Sequence, residues 1–299
     1  MSEKQNNEMT VRTKKLETLK NSWVFPYMAK FAYTHTLLEA NKLIEGDLAS
    51  IAGRIISKRN FGKFMFLKLK DAYSEFQISI SYNDLDENEY IFLKNNIDVS
   101  DFIGATGKIY LTKTQEKTLK VKKYILLSKA IRPLPEKWHG IENIELRYRK
   151  RYLDLISNEN TKNVFLMRSK IIQYIREYLL KFDFVEVETP ILQSVPSGAS
   201  AKPFITKHNS LNKDFYLRIA PELYLKQVVA GGINRVFEIG KNFRNEGMDS
   251  SHLQEFTMLE WYVAYWDYQN NVDFCVNLIK NIVKAFDLEK IVYNGYALD

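Results

Sequence analysis

The sequence has a single cysteine, few glycines and prolines, and no long apolar run. Its 299 residues include only Cys275, together with 12 glycines and 7 prolines. One cysteine cannot form an internal disulfide or a cysteine-based zinc site, and such usage is typical of a reducing compartment. We therefore expect a cytoplasmic protein. The glycine and proline counts exclude a fibrous or low-complexity chain.

Segments that would direct the chain to a membrane are also lacking. No stretch approaches the roughly 18 consecutive apolar residues that a membrane-spanning helix needs. Residues 1–8 are polar and lack the apolar core of a secretory signal, so we expect no such signal and no membrane partner. Hydrophobic residues make up 45% and charged residues 26% of the chain, which excludes wholesale disorder. The length favours two domains.

Several familiar catalytic and cofactor motifs are absent. The chain has no Gly-x-x-x-x-Gly-Lys-Ser/Thr phosphate loop, no Gly-x-Gly-x-x-Gly fingerprint and no His-Glu-x-x-His motif. The histidines are too scattered for a metal site that is evident from sequence. They are His35, His139, His208 and His252. Taken alone, each is more typical of a structural position than of a catalytic one.

The chain is moderately basic, with 43 Lys and Arg against 36 Asp and Glu and a net charge of +7. This excess favours a polyanionic partner only weakly, because a lysine surplus also arises from the base composition of a genome. The distribution is more informative than the total, since basic residues crowd into the stretch 108–151. They include Lys120, Lys122, Lys123, Arg147, Arg149, Lys150 and Arg151.

The first half of the chain predicts a helical segment followed by a small β domain. Residues 1–45 are typical of a polar helical segment, with a break at Pro26. Residues 46–130 alternate apolar and polar positions and predict three strands, a helix over 84–96 and two further strands. This is the order of a five-stranded OB-fold β-barrel, which commonly binds nucleic acids. Strand order alone leaves another small β domain open.

The second half predicts an α+β domain behind a linker. Residues 131–160 are interpreted as a linker or hinge, because two prolines near its start break regular pairing. Within 161–299, a long helix over 163–182 has an apolar side, and strand-like segments then follow one another. Without regular crossover helices between them, we expect an antiparallel sheet with flanking helices.

Two alternating segments between residues 235 and 262 predict a long hairpin that carries charged groups. Residues two apart share a face of a strand, so Arg244 would share a face with Glu246, and Phe256 with Glu260 and Tyr262. An arginine fork can neutralise a phosphate, and an aromatic ring can stack on a purine. The alternative is an exposed amphipathic hairpin with ordinary cross-strand ion pairs.

This segment resembles motif 2 of class II aminoacyl-tRNA synthetases, whose core is Phe-Arg-x-Glu before a loop that ends in Glu-Phe-Thr. Here these positions are 243–246 and 255–257. The form Phe-Arg-Asn-Glu-Gly followed by Glu-Phe-Thr-Met-x-Glu-x-Tyr is similar to the lysyl-tRNA synthetases, as are residues 196–206 and 217–226. Residues 185–190 resemble motif 1, and the similarity spans about residues 10–290.

The resemblance implies ATP-dependent ligation of lysine to its tRNA through a lysyl-adenylate. It also implies a homodimer that uses ATP as substrate and Mg²⁺ as cofactor. For ATP, it assigns Arg244 to the α-phosphate, Glu246 to the adenine amino group, His252 to the pyrophosphate side and Phe256 to the adenine ring. For lysine, it assigns Gly198, Glu222, Arg244, Glu260 and Tyr262. Pro190 of motif 1 is implied at the dimer interface.

The same resemblance implies that the OB domain reads the anticodon of tRNA(Lys). Phe66 would stack on the central base and Gln77 would form a hydrogen bond with it. Arg54 and Glu116 are further candidate anticodon contacts. The alternative for Phe66 is a place in the barrel core, because half of the residues in any OB strand face inward.

Three departures from the family pattern bear on these expectations. Asp183 stands where motif 1 usually has glycine, and Leu253-Gln254 stands where the motif 2 loop usually has Asn-Pro. The sequence ends at Asp299, before the expected position of motif 3 and of the carboxylates that hold magnesium. We therefore expect the N-terminal part of a longer enzyme, which by itself binds tRNA without aminoacylating it.

Two other interpretations stay open at this point. One is an aspartyl- or asparaginyl-type synthetase, against which the residues Glu260-Trp261-Tyr262 argue. The other is a truncated, non-catalytic tRNA-binding protein, which the sequence does not distinguish from an incomplete enzyme.

Overall fold

A computed structural model describes residues 3–22, 24–134, 141–249, 251–288, 291–293 and 296–298. Residues 135–140 of the predicted linker, and with them His139, lie outside the described residues. The chain divides into two compact units, Met1–Asn158 and Glu159–Asp299.

The first unit contains five helices and five strands within its described residues. In chain order they are α1 (Glu3–Asn21), α2 (Leu37–Ala40), β1 (Leu48–Phe61), β2 (Phe64–Lys70), β3 (Glu75–Ser81), α3 (Glu87–Asn96), β4 (Phe102–Leu111), β5 (Lys117–Ser128), α4 (Ile144–Arg149) and α5 (Arg151–Ser157).

The five strands form a closed barrel in the order β1-β2-β3-β5-β4, as the sequence predicted for an OB fold. The apolar alternation produces this arrangement, because successive side chains of a strand point to opposite faces. Met65, Leu67 and Leu69 of β2 are fully buried in the core, at 0% exposure. Phe64 and Phe66 therefore lie on the outer surface, where they are partly exposed.

The N-terminal segment is helical over a shorter range than predicted. Helix α1 ends at Asn21, residues 24–35 are irregular, and the chain returns to helix only in the single turn of α2. Thr36 caps that turn in a capping box with Glu39. Within the predicted linker, two short helices, α4 and α5, meet at Lys150, whose backbone (φ −119°, ψ 52°) is not helical.

A buried ion cluster joins strand β5 to the loop before β4. The ammonium of Lys129, which is 0% exposed, contacts Asp98 at 2.6 Å and Asp101 at 2.8 Å. Asp98 also forms a salt bridge with the ammonium of Lys15 in α1 at 2.6 Å. The cluster therefore holds the N-terminal helix against the barrel. Burial raises the pKa of Asp101 even though a lysine lies beside it.

The second unit contains three helices and eight strands within its described residues. They are α6 (Glu159–Lys181), β6 (Val185–Glu186), β7 (Leu192–Gln193), β8 (Ile205–His208), β9 (Lys213–Leu217), α7 (Glu222–Ala230), β10 (Arg235–Phe243), β11 (Glu255–Val263), α8 (Tyr268–Ala285), β12 (Ile291–Tyr293) and β13 (Tyr296–Leu298).

The predicted hairpin is the pair β10–β11, but the sheet it belongs to is not purely antiparallel. Its order is β11-β10-β6, and β6 runs parallel to β10. A parallel neighbour needs a long connection, and nearly fifty residues separate these strands. The connection carries a second, antiparallel sheet in the order β7-β9-β8.

The end of helix α6 explains the first departure from the family pattern. Asp183 has a φ of +60°, in the left-handed region that glycine adopts without cost. The amide of Asp183 donates to the carbonyl of Leu180 at 3.1 Å, which closes the last turn. Aspartate is one of the few other residues that tolerate this conformation, so the fold accommodates the substitution.

We expect Asp101→Ala to destabilise the first unit strongly. Removing one partner of a buried ion pair leaves the other uncompensated, at a cost of about 3–5 kcal/mol. The measurement is the free energy of unfolding from urea denaturation. The control is Lys68→Ala, which removes an exposed pair with Glu75 and should cost less than about 1 kcal/mol. Equal losses in the two variants would contradict the assignment.

Candidate active site and nucleic-acid interface

The β10–β11 hairpin separates a core face from an open face by simple alternation. Four odd-numbered residues of the hairpin join the hydrophobic cluster formed with α6 and α8. They are Phe237, Ile239, Leu259 and Trp261. The even-numbered residues point to the other face, where Glu238 lies opposite Glu260. The candidate polar residues therefore share one surface that the core does not use.

At the far end of this face, a cavity of about 260 Å³ brings together all the residues predicted to bind ATP. Its lining includes Arg244, Glu246, His252 and Phe256. The guanidinium carbon of Arg244 lies 5.1 Å from the centre of the Phe256 ring, a cation–π contact. A cationic fork beside an aromatic plate suits a ligand that combines phosphate and a planar ring.

Glu246 reaches the cavity from the loop and not from the strand, so the predicted sharing of a strand face with Arg244 is wrong. Strand β10 ends at Phe243, and pairing extends only to the amide of Arg244, which donates to the carbonyl of Gln254 at 2.9 Å. Beyond this point, the amide of Asn245 donates to the carbonyl of Lys202 at 2.7 Å. The chain therefore leaves the ladder before Glu246.

Asp249 orients His252 in the loop. Its carboxylate accepts from the amides of Ser251 at 2.6 Å and His252 at 2.8 Å, and contacts Nδ1 of His252 at 2.8 Å. These contacts, first the one from the Ser251 amide and then the one from the imidazole, lower the pKa of Asp249. Because Nδ1 is engaged, Nε2 is the ring nitrogen left for a ligand.

The open face also bears the residues predicted to bind lysine. The hydroxyl of Tyr262 donates to Glu260 at 3.2 Å. Burial raises the pKa of Glu260, the hydrogen bond from Tyr262 opposes this, and the charge of Glu222 raises it further. Burial, followed by the charge of Glu260, also raises the pKa of Tyr262. Such a pocket has an excess of negative charge and favours a cation.

The absence of a side chain at Gly198 lets its backbone lie close to Glu222. Its φ is +87°, and a Cβ at this position would lie 2.9 Å from Cβ of Glu222 and 3.1 Å from Cβ of Ala220. Both the backbone conformation and the space therefore require glycine. The ammonium of Lys226, one turn along α7, forms an ion pair with Glu222 and lies 5.8 Å from the Tyr262 ring.

An ion pair that sequence reasoning missed supports the open face from below. Arg218 and Glu238 are 1% and 4% exposed and form a salt bridge. Arg218 also donates to the carbonyls of Lys241 at 2.9 Å and Thr189 at 3.2 Å. A Cβ on Gly240 would lie 2.2 Å from this guanidinium. The sequence does show an arginine, Arg218, in an alternating strand segment. Its burial depends on the tertiary structure, so the sequence alone did not reveal the ion pair.

Two polar groups on the open face lack partners among the described residues. Nε of Arg244 and both amide atoms of Asn242 are buried without a hydrogen bond. Unmatched buried donors cost about 1–3 kcal/mol each. Their position beside the cavity is what a site awaiting a ligand or water would show.

On the barrel of the first unit, Phe66 and Gln77 lie in one hydrogen-bonded cluster. Arg59 stands opposite Phe66 in the β1–β2 register, its guanidinium 6.0 Å from the ring. Arg59 donates to the side-chain oxygen of Gln77 at 2.8 Å, and Gln77 donates to Thr118 at 2.9 Å. The outward position of Phe66 removes the alternative that it belongs to the barrel core.

The other two predicted anticodon residues have different surroundings. Arg54 lies 4.3 Å from the Phe102 ring and donates to the carbonyl of Ser100 at 3.3 Å, so the arginine of the cluster is Arg59. Glu116 is exposed, and its carbonyl accepts from Thr118 at 3.1 Å. Arg59 was the residue that sequence reasoning missed, although it directly follows Lys58 near the predicted turn.

Neither a metal cluster nor a spanning helix occurs in the described part of the chain. No three histidine, cysteine, aspartate or glutamate side chains there come close enough to hold a metal ion. The described residues therefore do not fit a magnesium site. The described helices include none that is both long and apolar enough to cross a membrane.

Comparison with known families accounts for both units. The family described as class II tRNA synthetases (D, K and N) matches residues 143–294, and the OB-fold nucleic acid binding domain matches residues 49–127. The chain thus belongs to the class II tRNA synthetases of the aspartyl, lysyl and asparaginyl group.

Among curated proteins, the chain is similar to lysine–tRNA ligases. It is 45% identical to that of Wigglesworthia glossinidia brevipalpis, over 99% of this chain and 62% of the relative. It is 45% identical to that of Pelotomaculum thermopropionicum, over 98% of this chain and 59% of the relative. It is 43% identical to that of Enterococcus faecalis, over 98% of this chain and 61% of the relative. The chain spans about three fifths of the length of these relatives.

We expect Gly240→Ala to destabilise the second unit by about 1–3 kcal/mol, the usual cost of overpacking, because the methyl group would displace the buried Arg218. Urea denaturation followed by tryptophan fluorescence measures the change. Gly247→Ala is the matched control, since nothing lies within 4 Å of its Cβ. A Gly240 variant as stable as the control would contradict the proposed packing.

We expect Glu260→Gln to stabilise the protein at neutral pH. The folded-state pKa of Glu260 is raised above its usual value of 4.5, so ionised Glu260 lowers stability as the pH rises through this range. The urea midpoint of the variant should exceed that of the wild type at neutral pH. The advantage should vanish near about pH 4, where the carboxyl is largely protonated in both states. Glu255→Gln is the matched control, because it removes the same charge from an exposed pair with Lys241.

Proposed function

We propose that this chain belongs to a cytoplasmic lysine–tRNA ligase, which activates lysine with ATP and transfers it to tRNA(Lys). The observation that carries the proposal is the single open face of β10–β11. A cavity with a cationic fork and an aromatic plate lies at one end of this face, which also bears the partly buried carboxylate of Glu260 close to Glu222. The cavity suits ATP, and the carboxylates suit a lysine side chain.

In the ATP subsite, Phe256 stacks on adenine while Glu246 accepts a hydrogen bond from its amino group. Arg244 contacts the α-phosphate, and His252 approaches the pyrophosphate side through Nε2. The Nε of Arg244 is buried without a hydrogen-bond partner among the residues that the structure describes, and this supports the role, because a buried donor needs an acceptor. Leu253-Gln254, the second departure from the family pattern, leaves the loop closed, since the Gln254 side chain donates to the carbonyl of Glu246 at 3.2 Å.

In the lysine subsite, Glu222 binds the α-ammonium while Glu260 and Tyr262 shape the pocket. The Lys226 ammonium, paired with Glu222 beside the Tyr262 ring, supports the ability of this pocket to bind a primary ammonium. The same carboxylates would repel the side chain of aspartate. This electrostatic argument favours lysine over the aspartyl alternative.

During activation, the lysine carboxylate attacks the α-phosphorus of ATP and pyrophosphate leaves. Negative charge grows on the phosphoryl oxygens in the transition state. Arg244 lies where its guanidinium can offset that charge, and it also contacts the lysine carboxylate. These residues contribute mainly by orienting both substrates and by electrostatic stabilisation.

The proposal extends to a homodimer formed through motif 1. An apolar cavity of about 700 Å³ runs along helix α6, lined by residues such as Val164, Met167 and Ile171. Val164 is 66% exposed, which is unusual for an apolar side chain on a helix. Pro190, also exposed, is the predicted interface residue of motif 1. A second copy of the chain would remove this apolar surface from water.

We propose that the barrel reads the anticodon through Phe66, Gln77 and Arg59. Phe66 offers a ring to stack on the central base, and Gln77 offers an amide fixed by Arg59 and Thr118. Because both amide atoms already have partners that hold the group in place, its orientation is determined before RNA binds.

We expect Arg244→Ala in the full-length protein to reduce lysine-dependent ATP–pyrophosphate exchange by about 100-fold to 1,000-fold, the usual effect of removing one transition-state donor. The matched control is Lys241→Ala, which removes a cation from the same strand but from an exposed pair with Glu255. Exchange within about threefold of wild type in Arg244→Ala would refute the catalytic role.

We expect Phe66→Ala and Arg59→Ala to weaken binding of tRNA(Lys) without affecting ATP–pyrophosphate exchange. Loss of one stacked base costs roughly 1–3 kcal/mol, or about 5-fold to 150-fold in Kd. Arg54→Ala removes the same charge outside the cluster and should cost less than Arg59→Ala. Equal losses for the two arginines would indicate that only net charge matters.

A further inference from the structure

Three phenylalanine rings lie together at the end of the β1–β2 hairpin, and recognition of a single base by Phe66 does not account for all of them. Phe61 and Phe64 face each other across the turn, and both contact Phe66. The Phe64 ring lies 4.9 Å from that of Phe66 at a tilt of 56° and supports it from the side. Phe61, in contrast, is 61% exposed.

Two cations lie over other aromatic rings near this end of the hairpin. Arg59 lies over the neighbouring Phe66 ring, and the ammonium of Lys63 in the turn lies 5.0 Å from the centre of the Tyr82 ring. Exposed aromatic rings among cations are the composition with which proteins bind single-stranded nucleic acid, since every base has a face to stack and every nucleotide a phosphate to neutralise. This composition favours RNA over an apolar protein partner.

The angle between the rings determines how RNA would be held. The planes of Phe61 and Phe66 are 79° apart and their centres are separated by 6.1 Å. Stacked neighbouring bases rise by only about 3.4 Å and stay parallel. Two neighbouring bases could lie flat on both rings only if they are unstacked and turned nearly perpendicular to each other. Splayed bases of this kind are what sequence-specific RNA recognition uses.

We propose that Phe61 is a second base-stacking site, which binds the unpaired base next to the one on Phe66 and holds the two bases splayed. The inference rests on the proposed anticodon-binding function of the same face and deepens it. Phe66 stacks on one base, and Gln77 and Arg59 identify that base by hydrogen bonding. Phe61 supplies a ring without a hydrogen-bonding partner, so it binds its base with little regard to sequence.

The experiment is a coupling measurement between protein variants and RNA hairpins that carry the anticodon loop. Each loop base in turn is replaced by an abasic site, and Kd is measured by fluorescence anisotropy for wild type, Phe61→Ala and Phe66→Ala. On intact RNA, we expect each variant to lose about 5-fold to 150-fold in affinity. On RNA that lacks the base it contacts, each variant should bind as wild type does.

The proposal requires that Phe61→Ala lose its effect when one loop base is removed, and that Phe66→Ala lose its effect when the adjacent base is removed. Each variant is then said to couple to that loop position. Phe61→Tyr keeps the ring and should bind normally, whereas Phe61→Leu keeps an apolar side chain without a ring and should behave as Phe61→Ala. Tyr73→Ala is the matched control, because Tyr73 is a 71% exposed aromatic residue at another turn of the same barrel. It should have no effect.

Two results would overturn the inference while leaving the proposed function intact. One is coupling of Phe66 to a single base combined with binding by Phe61→Ala within twofold of wild type. The other is coupling of Phe61 to no loop position, or to one that is not adjacent. If Phe66→Ala also coupled to no base, the proposed anticodon function itself would fail, and the inference with it.

Discussion

The open face of the second unit depends on the buried ion pair between Arg218 and Glu238. Breaking such a pair costs about 3–5 kcal/mol, because the remaining charge has no partner in a medium of low polarity. Arg218 also binds the carbonyls of Thr189 and Lys241, so it joins three separate segments of the chain. The strand that presents Glu260, opposite Glu238, is held in place by these contacts.

This support matters because the pocket above it is electrostatically unfavourable when empty. Glu260 is partly buried near Glu222 and has a raised pKa, while Nε of Arg244 is buried without a partner among the described residues. A pocket that satisfied all its own charges would be more stable but would have nothing left to offer a ligand. Recognition of a cation and of a phosphate therefore costs stability at this face, and the rigid base beneath it offsets the cost.

Much of the fold follows from periodicity. The alternation in β2 predicts a strand with two faces, and the structure buries Met65, Leu67 and Leu69 on one of them, which leaves Phe66 on the outer surface. In the same way, alternation along β10–β11 separates the core residues from the charged ones. Alternation holds only while a strand lasts, and β10 ends at Phe243, which is why Glu246 reaches the cavity from the loop and not from a strand face.

Which residues meet across strands was decided by the tertiary structure. The β1–β2 register shifts between Ile55 and Ser57, and this bulge sets Arg59, and not Lys58, opposite Phe66. Counting by two from Arg54 cannot reveal such a shift. The sequence by itself determined the family, the strands of the barrel and the β10–β11 hairpin. Burial of Arg218, the position of Arg59 and the exposure of Phe61 depend on distant segments, whose separation no local pattern encodes.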